Sequence, residues 1–138
     1  AVAVHTMAAG EPGLRARQVY DIARASLAAG IAAIEPGVPV DAVEKASLEP
    51  LAAAGLVEVA QMRFGYGIGV AYPPIWLESL QISRGFVRRL EPGMVFVLHA
   101  CIELPDEGIG IVQGGTYALT DDGLCELVGG GDVSFDVL

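Results

Sequence analysis

Apolar and polar positions alternate along this chain with two different periods, and the change between them divides it. Residues 1–9, Ala-Val-Ala-Val-His-Thr-Met-Ala-Ala, form a mostly apolar run closed by Gly10-Glu11-Pro12-Gly13, which predicts a buried strand and a turn. From Leu14, the residues Val19, Ile22, Ala23, Leu27, Ile31 and Ile34 recur at helical spacing, with Arg15, Arg17, Gln18, Asp21 and Arg24 on the other side. That predicts an amphipathic helix ending before Pro36-Gly37. A second helix follows, with Asp41 as its cap, Glu44 three residues on as in a capping box, and Gly55 to close it. Pro50 falls inside this span and predicts a kink or a break.

After Gly55 the period becomes that of strands. Leu56 to Ala60 and Arg63 to Val70 are expected strands, followed by a rigid turn at Ala71-Tyr72-Pro73-Pro74-Ile75-Trp76. Leu90-Glu91-Pro92-Gly93 launches one long strand from Met94 to Leu104. Ile109 to Val112, Thr116 to Leu119 and Leu124 to Val128 are shorter strands, with turns expected at Gly114-Gly115 and Asp121-Asp122-Gly123. Two helices followed by hairpin-linked strands give an α+β order: two helices packed on a mostly antiparallel sheet. We divide the chain into a folded part, residues 1–128, and a glycine-rich tail, residues 129–138, flexible by composition and ordered at its end only by a partner.

At 138 residues the chain is one domain or a piece of one. It is 53% hydrophobic and 18% charged, which excludes a disordered chain. Seventeen acidic against eight basic side chains give a net charge of −9, which opposes nucleic acid and anionic membrane surfaces as partners. Cys101 and Cys125 build no disulfide framework and match no zinc motif, so a reducing, cytoplasmic setting is expected. The longest charge-free apolar stretch near the start, Ala25 to Ile34, is too short to span a bilayer, and residues 1–9 do not read as a signal peptide.

Candidate chemistry is sparse. Gly65-Tyr66-Gly67-Ile68-Gly69 has the look of a phosphate loop, but no helix starts after it; the competing reading is a strand that something approaches closely. Alternation places Val95, Val97, His99, Cys101 and Glu103 on one face of the long strand and Phe96, Leu98, Ala100 and Ile102 on the other. Residues two apart on a strand lie about 6.5 to 7 Å apart, so His99, Cys101 and Glu103 do not all converge on one ion, although two of them could with help from other strands. The alternative is a histidine at the edge of a core beside a buried cysteine. His5 and His99 are the only histidines, and there is no nucleophile elbow to form a hydrolase triad. Tyr72 and Trp76 beside Pro73-Pro74 either wall an apolar pocket or pack on each other as a surface turn.

Several motifs occur in the order of one family. Gly65 to Glu78, with its Tyr-Pro-Pro-x-Trp-x-Glu turn, and Leu90-Glu91-Pro92-Gly93-Met94-Val95-Phe96 carry most of the likeness. Thr6 to Pro12, Gly30 to Gly37 and Tyr117 to Gly123 add to it. Together they resemble the creatinase, ectoine hydrolase and proline-specific aminopeptidase and dipeptidase family over nearly the whole chain. The resemblance implies part of a pita-bread α+β catalytic domain and a C–N bond hydrolysis on a small amidino, cyclic amidine or Xaa-Pro substrate; half of such a sheet exposes an edge and an apolar face, so a homo-oligomer is expected. In the metallopeptidase members two Asp, one His and two Glu hold two divalent ions that activate water. By the same resemblance one Asp falls at Val2, the His at Tyr66, the first Glu at His99 and the second near Gly114; the other Asp would lie before Ala1. No carboxylate ligand is kept, so no metal cofactor is expected. The creatinase branch implies instead a metal-free reaction in which His99 moves a proton and Tyr66 donates to developing charge, with a carboxylate from Glu103, Asp106 or Glu107. Tyr72 and Trp76, as the aromatic wall of the Pro-Pro turn, are the expected substrate-binding residues. The alternative is a catalytically inactive binding or oligomerisation module of the same fold.

Overall fold

The computed structural model describes residues 1–60, 64–129 and 135–137. A short strand, β1 (Met7–Ala8), precedes two helices, α1 (Leu14–Ala32) and α2 (Val40–Ala53). The rest is β2 (Gly65–Gly67), β3 (Gln81–Ile82), β4 (Val95–Leu104), β5 (Ile109–Thr120), β6 (Gly123–Val128) and β7 (Asp136–Val137). β3-β2-β4-β5-β6 form one sheet in which every neighbouring pair is antiparallel. The expected α+β architecture, two helices on an antiparallel sheet, is what the molecule has.

The core lies between the helices and one face of β4 and β5. α1 turns Val19, Tyr20, Ala23, Leu27 and Gly30 inward, one helical stripe, and α2 buries Val40, Val43, Ser47 and Leu51. Phe96, Leu98, Ala100 and Ile102 meet them from β4, as the alternation predicts. Gly30 is there because the Phe64 ring occupies the space a Cβ would need. α1 stops at Ala32, short of the predicted end, and lets Ile34 fold back into the core. α2 begins after Pro39 with no side-chain cap, so the expected capping box is absent: Asp41 pairs with Lys45 at 2.7 Å, and Glu44 turns inward instead. α2 runs through Pro50 to Ala53, with Leu51 anchored in the core, and Gly55 closes it at φ +70°.

Three expected strand boundaries are corrected. Val57–Val59 is a 3-10 turn rather than a strand, as a short apolar run with no partner edge can be. Of Arg63 to Val70 only Gly65–Gly67 is a strand, and Arg63 lies outside the described residues. Gly114-Gly115 is no turn: β5 runs straight through it, pairing Leu98 with Gly115 and His99 with Gly114, because the glycines are needed for closeness to the neighbouring strand and not for bending. Residues 1–9 are half-buried at best, since they lie along one edge of β5 through the Val4–Gly114 bridge. Phe135 stacks on Tyr20 at 4.4 Å between ring centroids, and β7 pairs parallel with β1. No helix among the described residues is long and apolar enough to cross a membrane.

Candidate functional site

β2, β4, β5 and the first residues of the chain bring the sequence-predicted positions together on the face of the sheet away from the helices. Tyr66 on β2 sits opposite Val97 of β4, so its ring reaches His99 one step along: the ring centroids are 5.7 Å apart and tilted by 60°. His99 is directly opposite Gly114. Val4 exchanges two backbone hydrogen bonds of 3.0 Å with Gly114 on its other side. Val2 lies two residues along, where its N–H donates to Thr116 Oγ1 and the Thr116 hydroxyl donates to its carbonyl, both at 2.8 Å.

Both rings of the pair are nearly closed off: His99 is 5% and Tyr66 9% exposed. The two flanking positions carry a valine and a glycine. A Cβ on Gly114 would stand 2.7 Å from that of His99 and press on the Leu98 carbonyl, so no longer side chain fits there without moving β4. Cys101 and Glu103, further along β4, contact each other at 3.8 Å; burial, with the Glu103 charge added, pushes the Cys101 thiol up and keeps it a weak nucleophile. Glu107 is tied to Arg15 by two bonds of 2.8 and 3.0 Å, which hold its carboxyl below the usual range. Among the described residues no three His, Cys, Asp or Glu side chains cluster as ligands of an ion. An imidazole and a phenol by themselves do not fit a pair of hard divalent ions.

Tyr72 and Trp76 take a different place. They do not join His99 and Tyr66; with Pro73, Ile68, Val95 and Leu127 they line a cavity of about 470 Å³ at the sheet's end, which Val2 also borders. Tyr72 is 84% and Trp76 48% exposed, so this wall stands free in solvent and is not packed away as a surface turn. Gly65 and Gly67 explain the glycine-rich stretch: a Cβ on Gly65 would stand 2.5 Å from the Val97 carbonyl oxygen, and one on Gly67 2.9 Å from the Cβ of Leu80. That is the close-approach reading, not a phosphate loop.

Two carboxylates have places that the sequence reading did not assign them. Glu44 is 3% exposed, with Arg84 Nε 3.7 Å from Oε2. Burial raises its carboxyl, while hydrogen bonds from Ser83 and the Arg84 backbone, together with the Arg84 charge, draw it back. Its place in the stripe Val40, Val43, Ser47 and Leu51 was the available signal. Glu78 holds the loop that carries Tyr72 and Trp76, and only its position at the end of the Pro-Pro-x-Trp turn hinted at that.

The sheet with two helices across one face, and a site on the other face fed by β2, β4 and β5, is the arrangement of the pita-bread hydrolases. The model for metallopeptidase family M24 matches residues 3–122, and the chain belongs to that family. It is 29% identical over 124 residues to the Xaa-Pro dipeptidase of Lactobacillus helveticus, covering 86% of this chain and 34% of that protein. It is 35% identical over 100 residues to the probable dipeptidase PepE of Mycobacterium tuberculosis, covering 72% and 26%. Among solved structures, dipeptidase PepE from Mycobacterium ulcerans superposes with a TM-score of 0.82 at 26% identity, over 96% of this chain and 33% of that one. The Xaa-Pro dipeptidase from Bacillus anthracis shares the fold, with a TM-score of 0.85 at 22% identity over 96% and 36%. The chain therefore spans about a quarter to a third of the length of the relatives it matches.

Proposed function

We propose that this M24 domain binds a small, neutral, proline-containing or aromatic ligand in the cavity walled by Tyr72 and Trp76 and does not carry out the two-metal peptidase reaction. One observation carries this: the positions where the family resemblance expects ligands hold Val2, Tyr66, His99 and Gly114, while the apolar cavity beside them is open. The cavity lining has no acid, histidine or basic side chain, so it suits a prolyl or aromatic group better than a cationic amidine. Titration calorimetry with leucyl-proline, followed by mass spectrometry of the mixture, tests the reading. Saturable binding with the dipeptide intact is expected; no heat of binding, or free leucine and proline, overturns it.

A second reading is favoured by the closeness of the Tyr66 and His99 rings: metal-free C–N bond hydrolysis, with His99 moving the proton and Tyr66 donating to the developing charge. On this reading His99→Ala in the native polypeptide abolishes turnover of a small amidine or Xaa-Pro substrate, and unchanged turnover removes His99 as a catalyst. We place the domain in the cytoplasm as a homo-oligomer without nucleic-acid or membrane partners. Its net charge of −9 supports the absence of anionic partners, its free Cys101 and Cys125 a reducing compartment, and its exposed Val70, Ile75 and Val87 self-association. A monomer by sedimentation at micromolar concentration would count against the oligomer.

A further inference from the structure

We propose that Glu78 is the positioning residue for the aromatic wall of the cavity, an inference that rests on the binding reading above. The wall stands on a loop that leaves the sheet after Gly69 and returns at Glu78. At its return the loop is pinned by the backbone, with Glu78 N–H donating to the Gly67 carbonyl at 3.1 Å and Gly67 N–H to that of Leu80 at 3.0 Å. At its departure it is pinned by the Glu78 side chain: Oε1 accepts from Val70 N–H at 2.6 Å and from Ala71 N–H at 3.2 Å. One carboxylate oxygen thus ties the first two residues of the loop to its last and closes the span that contains Tyr72, Pro73 and Trp76.

Little else holds that span. Val70 is 95% exposed, Tyr72 84% and Ile75 65%, so the loop buries little apolar surface to fix its own shape. Hydrogen bonds to a charged acceptor are the stronger class, and here two donors share one. The carboxylate lies against the backbone it holds: a Cβ built on Gly69 would be in ordinary van der Waals contact with Oε1, at 3.4 Å. Gln in place of Glu78 keeps a carbonyl acceptor on the same stem, whereas Ala removes it.

Trp76 is the only tryptophan, so its fluorescence reports on the loop with no added label and no ligand. In Glu78→Ala the acrylamide quenching constant of Trp76 rises at least about twofold and the leucyl-proline Kd about tenfold. Circular dichroism and the melting temperature of the sheet and helices stay close to the parent, and Glu78→Gln restores most of both losses. Unchanged quenching in Glu78→Ala, or a glutamine variant as loose as the alanine one, overturns the proposal. Should Glu78→Ala not fold, amide exchange in the parent protein decides: the Val70 and Ala71 amides exchange slowly if the carboxylate holds them, and exchange at the rate of an unstructured peptide overturns it. Quenching and exchange need no ligand. If leucyl-proline fails to bind the parent, the binding reading falls while the Glu78 clamp is judged on fluorescence alone.

Discussion

The two faces of the β4–β5 pair have parted ways on the same backbone. Toward the helices, Phe96, Leu98 and Ile102 are wholly buried and Ala100 nearly so, with Tyr117 and Ile111 opposite. On the other face, Val97 and His99 are buried, Cys101 is half-buried and Glu103 is exposed, with Thr116, Gly114, Val112 and Gly110 opposite. The helix face is constrained by volume, so it keeps the family's fold. The other face is constrained by chemistry, and there the positions at which the family resemblance expects ligands carry Val2, Tyr66, His99 and Gly114. A strand's alternation lets one set of residues change while the other stays.

The largest effect should follow from attacking the volume side. Phe96→Ala leaves a cavity in the packed layer and costs about 3–5 kcal/mol, read by urea unfolding, while Val95→Ala on the half-buried side of the same strand costs less than half of that. Equal losses would mean the two faces are not distinct. On the other face the expected cost comes from adding bulk, not removing it: Gly114→Ala presses on His99 and the Leu98 carbonyl and destabilises by about 1–3 kcal/mol. A neutral Gly114→Ala would show that β4 can retreat, and that a carboxylate could be housed there.

This division also explains what the sequence made legible. α1 and β4 were readable because their apolar period is written over many residues, and Phe96, Leu98, Ala100 and Ile102 took the face that alternation assigned them; α2 and β6 were bounded by Gly55 and by the turn at Asp121-Asp122-Gly123. Val57–Val59 was misread because three residues carry no period, and Gly114-Gly115 because glycine signals a turn and a close approach equally well. The nearness of Tyr66 and His99 followed from family resemblance and not from spacing, since β2 and β4 meet across some 30 residues of chain whose course no local pattern fixes. Glu78 was invisible as a clamp because its partners are backbone amides, which every sequence has.

Glu44 is an exception inside the helix-facing layer, a carboxylate in an apolar stripe. Burial raises its pKa above that of an unfolded glutamate, so the native state holds its proton more tightly than the unfolded state does. The stability this gives is fully present below the unfolded value, about 4.3, and is lost as pH rises through the folded one. Glu44→Gln stays neutral throughout, so its stability falls less across that window than the parent's does, measured by urea unfolding at a series of pH values. Glu107, lowered by Arg15, acts in the opposite sense but equally in both proteins. Parallel profiles for parent and variant would show that Arg84 compensates Glu44 fully.

The smallest effect should come from the other polar intrusion on that face. Tyr117 lies opposite Phe96, 2% exposed, and its hydroxyl is buried without a hydrogen-bond partner among the described residues. Burial, with Glu126 directly across on β6 adding repulsion, pushes its pKa up to about 12. An unfolded tyrosine ionises near pH 10, so the contribution of the neutral phenol is complete below that and fades as pH climbs toward 12. Tyr117→Phe keeps the ring in its slot and removes an unsatisfied group, so at neutral pH it should be neutral or stabilising by up to about 1 kcal/mol. In alkali the variant should outlast the parent, because it no longer has a phenol whose ionisation favours unfolding. A loss of stability at pH 7 would mean that the hydroxyl holds a bond after all, and that this face tolerates polar groups as readily as the face across the sheet.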